Sequence, residues 1–199
     1  MKAKVCGLTT PGDVALALAA GADWLGFLSH PASPRHCPDP LLPRLAGDRA
    51  VLVAVAGDAL EIARWAELCG ARWVQPYLPD RAGLELLRAR GLGILLPWPD
   101  EPGQEPAPAD LYLWETGSAA TGLLGGSGQG HAGAHPPPGP FLLAGGLKGG
   151  MLRERLAALP PHLDCRGFDA ASRLERAPGL KDPGLVEAFV AEAHGLEKR

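Results

Sequence analysis

Lys4-Val5-Cys6-Gly7-Leu8-Thr9 decides how this chain is read, because it places a thiol where a short apolar run stops and a turn begins. Residues 3–6 have the character of a buried strand, Gly7 frees the backbone to turn, and Thr9 or Thr10 can cap a helix that opens near Pro11. Such a unit puts the Cys6 side chain at the carboxyl end of a strand, the edge where α/β folds bind ligands and carry out chemistry. Position alone makes Cys6 only a candidate, since free cysteines are most often small buried hydrophobes.

The same strand-then-helix unit recurs down the chain. Residues 23–28, 50–55, 72–75, 92–96, 110–115, 141–144 and 163–169 read as further strands, and residues 13–20, 60–69, 80–90, 151–159 and 183–194 as helices. Gly21 and Gly70 close the first two helices as C-caps. This rhythm implies parallel strands joined by right-handed crossovers. Between residues 97 and 109, prolines and acids leave little chance of a full helix, so that crossover is a loop. Residues 117–139 are glycine-rich, then proline-rich, and too polar to bury. Eight strands in 199 residues predict a (β/α)8 TIM barrel, at the small end of its class, with some crossover helices reduced to loops. An open doubly wound sheet is the alternative.

Composition sets the broad class. A chain of 199 residues, 46% hydrophobic, is long enough for one well-buried domain covering residues 1–199. The net charge of -3 is spread without a basic stripe, which argues against nucleic acid as a partner. No apolar run has the length to span a bilayer and no signal-peptide pattern opens the chain, so the expectation is a cytoplasmic protein off the membrane. Four scattered cysteines, Cys6, Cys37, Cys69 and Cys165, give neither a disulfide framework nor a zinc pattern and read as reduced thiols. His131 and His135, four apart, lie in a glycine- and proline-rich stretch and read as solvated, so no metal site is expected.

Several segments, in order and spacing, resemble the phosphoribosylanthranilate isomerase family of tryptophan biosynthesis. They are Lys4-Val5-Cys6-Gly7-Leu8-Thr9, Gly21-Ala22-Asp23 with Gly26-Phe27, and Pro31 to Arg35 as P-x-S-x-R. Gly125-Gly126-Ser127-Gly128-Gln129, Ala144-Gly145-Gly146-Leu147, and Glu175 with Pro178-Gly179-Leu180-Lys181-Asp182 continue the match. Glycine pairs are common, but six segments in register over nearly the whole chain are specific. The resemblance implies an Amadori rearrangement of a phosphoribosyl-aminobenzoate to its aminoketose, run by one acid and one base without metal or organic cofactor.

The resemblance makes Cys6 the general base and a carboxylate ending the sixth strand the general acid. That carboxylate is Glu115, where the family usually has aspartate; the extra methylene can misplace the acid by about an ångström unless the pocket compensates. A solvated strand-end carboxylate is the bland reading of Glu115. For the pair to exchange protons near neutrality, the carboxyl must be shifted up and the thiol down. Arg35 matches the ligand of the anthranilate carboxylate. Gly145 and Gly146 match a phosphate site at a helix N-terminus, although two glycines also suit a plain tight turn. Ser172 and Arg173 stand in the second phosphate loop, Asp169-Ala170-Ala171-Ser172-Arg173, with arginine where the family has glycine. Arg173 either pairs with the phosphate or spoils the loop's backbone cradle. Gly126 and Ser127 belong to a glycine loop that resembles a cover over the substrate.

At the fourth strand the family commonly reads Gln-Leu-His-Gly and this chain reads Gln75-Pro76-Tyr77-Leu78, which retains only Gln75 as a substrate contact. With Glu115 and Arg173 this makes three departures around one site. They leave open a divergent isomerase, a paralogue acting on another amino-aldose phosphate, and a barrel that binds a phosphorylated ligand without turning it over. The partner in each case is a small phosphosugar, and the oligomeric state is open.

Overall fold

The computed structural model describes residues 1–77, 80–103, 105–107, 109–115 and 134–197. Eight parallel strands close into a barrel in chain order. They are β1 (Lys2–Cys6), β2 (Trp24–Leu28), β3 (Ala50–Ala54), β4 (Trp73–Pro76), β5 (Gly93–Pro99), β6 (Leu111–Glu115), β7 (Phe141–Leu143) and β8 (Cys165–Ala170). Lys4 pairs with Trp24 on one side and Asp169 on the other, so β8 closes directly onto β1 and the open sheet is excluded.

The helices begin where the sequence supplies caps. In α1 (Pro11–Ala19), the Thr10 hydroxyl accepts from the Asp13 N–H and proline opens the first turn. In α2 (Ala59–Cys69), Asp58 and Glu61 form a capping box, and Gly70 ends the helix in the left-handed conformation. Asp80 caps α3 (Arg81–Ala89), and Asp182 caps α5 (Pro183–His194). The short α4 (Leu152–Ala157) lies between β7 and β8.

Among the described residues, several connections differ from the simple unit, and no helix lies between β5 and β6. Between β2 and β3 runs a 3-10 segment, Leu42–Arg49, broken at Gly47 with its φ of 55°. After β8 come a 3-10 turn, Ser172–Leu174, and a two-stranded ribbon of β9 (Glu175–Ala177) and β10 (Leu180–Lys181). Strand β5 also runs farther than its prolines suggest, through Pro97 and Pro99. Both prolines are in phase with Gly93, whose N–H points to the β4 side, and β4 pairing has already ended at Val74 and Ile94. Their missing donors therefore face no waiting acceptor, while Trp98 continues the pairing with β6.

Strand alternation sorts side chains into two shells. Ala3, Val5, Leu25, Phe27, Leu52, Val74, Ile94, Trp114, Phe141 and Phe168 point outward into the core beneath the helices. Inside the barrel, Leu95, Leu111, Leu113, Leu142 and Ala144 pack with Trp24 and Trp73, whose rings meet edge to face at 5.6 Å. This apolar cluster fills the barrel interior, and its Leu113 and Ala144 form part of the floor of the cleft at the carboxyl ends. The polar inward positions gather nearer the carboxyl ends: Lys4 and Cys6, Gln75, Glu115 and Asp169, with Leu28, Val53, Leu113 and Ala144 among them.

Candidate active site

One cleft at the carboxyl ends of the strands gathers residues from across the chain. Cys6, Arg35, Gln75, Glu115, Gly145, Gly146, Ser172 and Arg173 all line it. Gly126, Ser127, Thr116, Leu78 and His131 lie outside the described residues. His135, read as solvated, is half-exposed, and its backbone N–H donates to Asp100 at 2.7 Å.

Cys6 ends β1, and its sulfur occupies space that a side chain on β2 would take. A Cβ built on Gly26 would stand 2.6 Å from Cys6 Sγ, so glycine at 26 makes room for the thiol. Below Cys6, two residues back on the same face, Lys4 is wholly buried and its Nζ donates to Asp169 Oδ1 at 2.7 Å. Burial alone would lower the Lys4 pKa, but Asp169, with Cys6 beside it, more than offsets that and holds it well above the ordinary value. Lys4 is a permanent ammonium under the thiol.

The expectation that the site acidifies Cys6 is overturned. Burial pushes the thiol pKa up from 9.0, and the Lys4 ammonium opposes this without cancelling it; Asp169 adds to the rise and Lys181 to the opposition. Glu115 does shift in the expected direction. The residue is 8% exposed, and burial pushes its carboxyl pKa up to about 8 against the hydrogen bond from Tyr77. It is a buried carboxyl, not a solvated strand end.

Arg35 lies over Gly7, where any side chain would collide with its stem. Its Nε and Nη2 donate to the two oxygens of Glu175 at 2.8 and 2.9 Å. Lys181 Nζ donates to the same carboxylate at 2.9 Å. Burial works against the charge on Glu175, but Arg35 and Lys181 outweigh it and hold its pKa below the usual range. This fork leaves three of the five guanidinium donors of Arg35 for other partners. The ribbon carrying Glu175 and Lys181 is in turn clamped on the barrel: Thr9 Oγ1 donates to the Gly179 carbonyl at 2.6 Å and the Lys181 N–H donates to Asp13 at 3.2 Å.

The expected phosphate site differs in form. Gly145 and Gly146 adopt φ of 91° and 63°, a conformation strained for other residues, but α4 begins only at Leu152. They therefore make a left-handed turn at the end of β7, not a helix N-terminus. After the neighbouring strand β8, Ser172 and the exposed Arg173 belong to a 3-10 turn that lines the same cleft.

Sequence reasoning missed Lys4, Tyr77 and Asp169 as members of the site, and Glu175 and Lys181 as its support. Alternation could have found two of these, because Lys4 is two residues before Cys6 and Tyr77 two after Gln75. Nothing local in the sequence pairs Lys4 with Asp169 or Arg35 with Glu175.

No protein-family model matches the chain. Curated relatives do match. The N-(5'-phosphoribosyl)anthranilate isomerase of Geobacter sp. (strain M21) is 32% identical, covering 98% of this chain and 98% of its own. That of Azorhizobium caulinodans is 34% identical, covering 99% of this chain and 93% of its own. Among solved structures, the phosphoribosyl anthranilate isomerase from Thermus thermophilus matches with a TM-score of 0.80 at 27% identity, covering 99% of this chain and 100% of that one.

Proposed function

The chain belongs to the N-(5'-phosphoribosyl)anthranilate isomerase family, and from that premise we propose how its own residues carry out the aldose-to-ketose rearrangement of tryptophan biosynthesis. The substrate is N-(5'-phosphoribosyl)anthranilate, and the reaction is an internal proton relocation in the cytoplasm. Glu115 protonates the furanose ring oxygen and opens the ring, and Cys6 removes the proton from the sugar C2. The enol-amine so formed gains a proton at C1 and loses the one on its 2-hydroxyl to become the aminoketose; these two transfers restore the Cys6 thiolate and the Glu115 acid, so C1 is reduced as C2 is oxidised with no net change.

The observation that carries this reading is that Cys6 and the buried Glu115 line one cleft with the buried Lys4–Asp169 pair beneath the thiol; burial raises the Glu115 pKa to about 8, so its carboxyl is mostly protonated at neutral pH. The carboxyl gives up its proton before the thiol does, so the working form, thiolate with carboxylic acid, is a minor one. Lys4 serves that form by pairing with the thiolate when it appears. Arg35, fixed by Glu175, offers its remaining donors to the anthranilate carboxylate. The turn at Gly145 and Gly146 and the Ser172–Arg173 turn take the phosphate, with Arg173 adding a charge in place of glycine's open backbone.

Complementation of a tryptophan auxotroph lacking this isomerase tests the activity, and failure to restore growth would remove it. Purified Cys6→Ala should retain substrate affinity and lose kcat by about a thousandfold. Equal turnover in variant and parent would remove Cys6 as the base.

A further inference from the structure

Tyr77 and Glu115 are two of the positions where the sequence departs from the motifs it resembles, and in the fold they touch. The Tyr77 hydroxyl donates to Glu115 Oε2 at 3.3 Å and accepts from Gln75 Nε2 at 3.1 Å. We infer that Tyr77, backed by Gln75, is a positioning residue for Glu115, fixing the carboxyl so that its free oxygen presents the acidic proton to the substrate. The inference rests on Glu115 being the general acid.

A glutamate has one more torsion than the aspartate usual at the end of this strand, and its carboxyl can swing through more than an ångström unless something holds it. Tyr77 supplies the hold from a fixed base. Its backbone N–H donates to the Ala54 carbonyl at 3.0 Å, which ties the end of the β4 segment to β3. Gln75 is 2% exposed and its amide N–H occupies one lone pair of the Tyr77 oxygen. The single hydroxyl hydrogen is then free to point at Glu115 Oε2. With Oε2 engaged as an acceptor, the carboxylic proton belongs on Oε1. Burial, together with the charges of Glu115, Cys6 and Asp169, keeps the Tyr77 pKa well above its ordinary value, so it remains a donor throughout the working range.

The charged and titratable groups acting on Glu115 are Tyr77 from the end of β4, Asp169 from β8 and Lys4 from β1. Of these, Tyr77 is the one within hydrogen-bonding distance. Tyr77→Phe keeps the ring and removes only the hydroxyl. It should lower kcat by about tenfold, the worth of one hydrogen bond to a carboxyl, and leave KM unchanged. In the Glu115→Asp background the shorter side chain stands back from the hydroxyl, and the loss from Tyr77→Phe should disappear.

Titration of the Glu115 carboxyl by carbon-13 NMR of the folded protein gives a second reading. Its midpoint should rise from about 8 in Tyr77→Phe, because the donor that favoured the carboxylate is gone. A raised midpoint leaves more Glu115 protonated, so a fall in kcat runs against the change in ionisation and reports orientation. An unchanged kcat, an equal loss in the parent and Glu115→Asp backgrounds, or an unmoved midpoint would each overturn the inference. Full turnover in Glu115→Gln would instead remove the acid assignment beneath it, a result read independently of the Tyr77 cycle.

Discussion

Replacing Glu115 by glutamine should abolish most turnover and, in alkaline solution, make the fold more stable. The reason lies in where the carboxyl is held: it titrates near 4.5 as an ordinary glutamate and at about 8 in the folded barrel. A group whose folded pKa is raised binds its proton more tightly in the native state. Its contribution is fully present below pH 4.5 and is lost as pH rises toward 8. At roughly 1.4 kcal/mol per pH unit, the buried carboxylate then costs the native state up to about 5 kcal/mol. Glutamine carries no charge at any pH and still offers Tyr77 an acceptor. Urea unfolding of parent and Glu115→Gln, followed by circular dichroism from about pH 5 to pH 9, measures the difference directly. The two should agree within about 1 kcal/mol at the acid end and diverge to about 3–5 kcal/mol in favour of the variant at the alkaline end. Parallel stability curves would show that the folded protein does not hold Glu115 protonated, and the acid assignment would lose its physical basis.

Two further substitutions probe the rest of the cleft. Arg35→Ala should raise KM for phosphoribosylanthranilate by at least about tenfold with a smaller change in kcat, the signature of a lost ground-state contact; an unchanged KM in steady-state assays would point to a substrate without the carboxylate. Gly26→Ala would set a Cβ 2.6 Å from Cys6 Sγ and 3.1 Å from Cys6 Cα. The thiol must then move, so kcat should fall by at least about tenfold in a protein whose circular dichroism is unchanged, and a fully active variant would show that the thiol's position does not matter.

Much of the barrel is legible in the sequence because its determinants are local. Thr10, Asp58, Asp80 and Asp182 each cap a helix from within three residues, and Gly70 ends one by adopting a conformation other residues avoid. The strand runs are short and apolar because parallel strands are buried on both faces. Parallel strands in a closed ring bring all their carboxyl ends to one rim, so placing Cys6 and Glu115 at strand ends already puts them at the same mouth. Local pattern misjudged β5, where prolines forbid a strand only if a neighbour needs their N–H groups, and the β4 side offers none beyond Ile94.

The sequence by itself determined the alternation of strands and helices, the helix caps, and which residue types stand at the rim. Only the tertiary structure decided what those residues are. Lys4 meets Asp169 across 165 positions, Arg35 meets Glu175 across 140, and Tyr77 meets Glu115 across 38. Each contact follows from ring closure, which brings distant segments together without any local signature. Ionisation is settled the same way, because burial and through-space charge act over distances of a few ångströms, whatever the spacing along the chain. The same rim therefore raises Glu115 to about 8 and pushes Cys6 up, where reference values alone called for the thiol to come down.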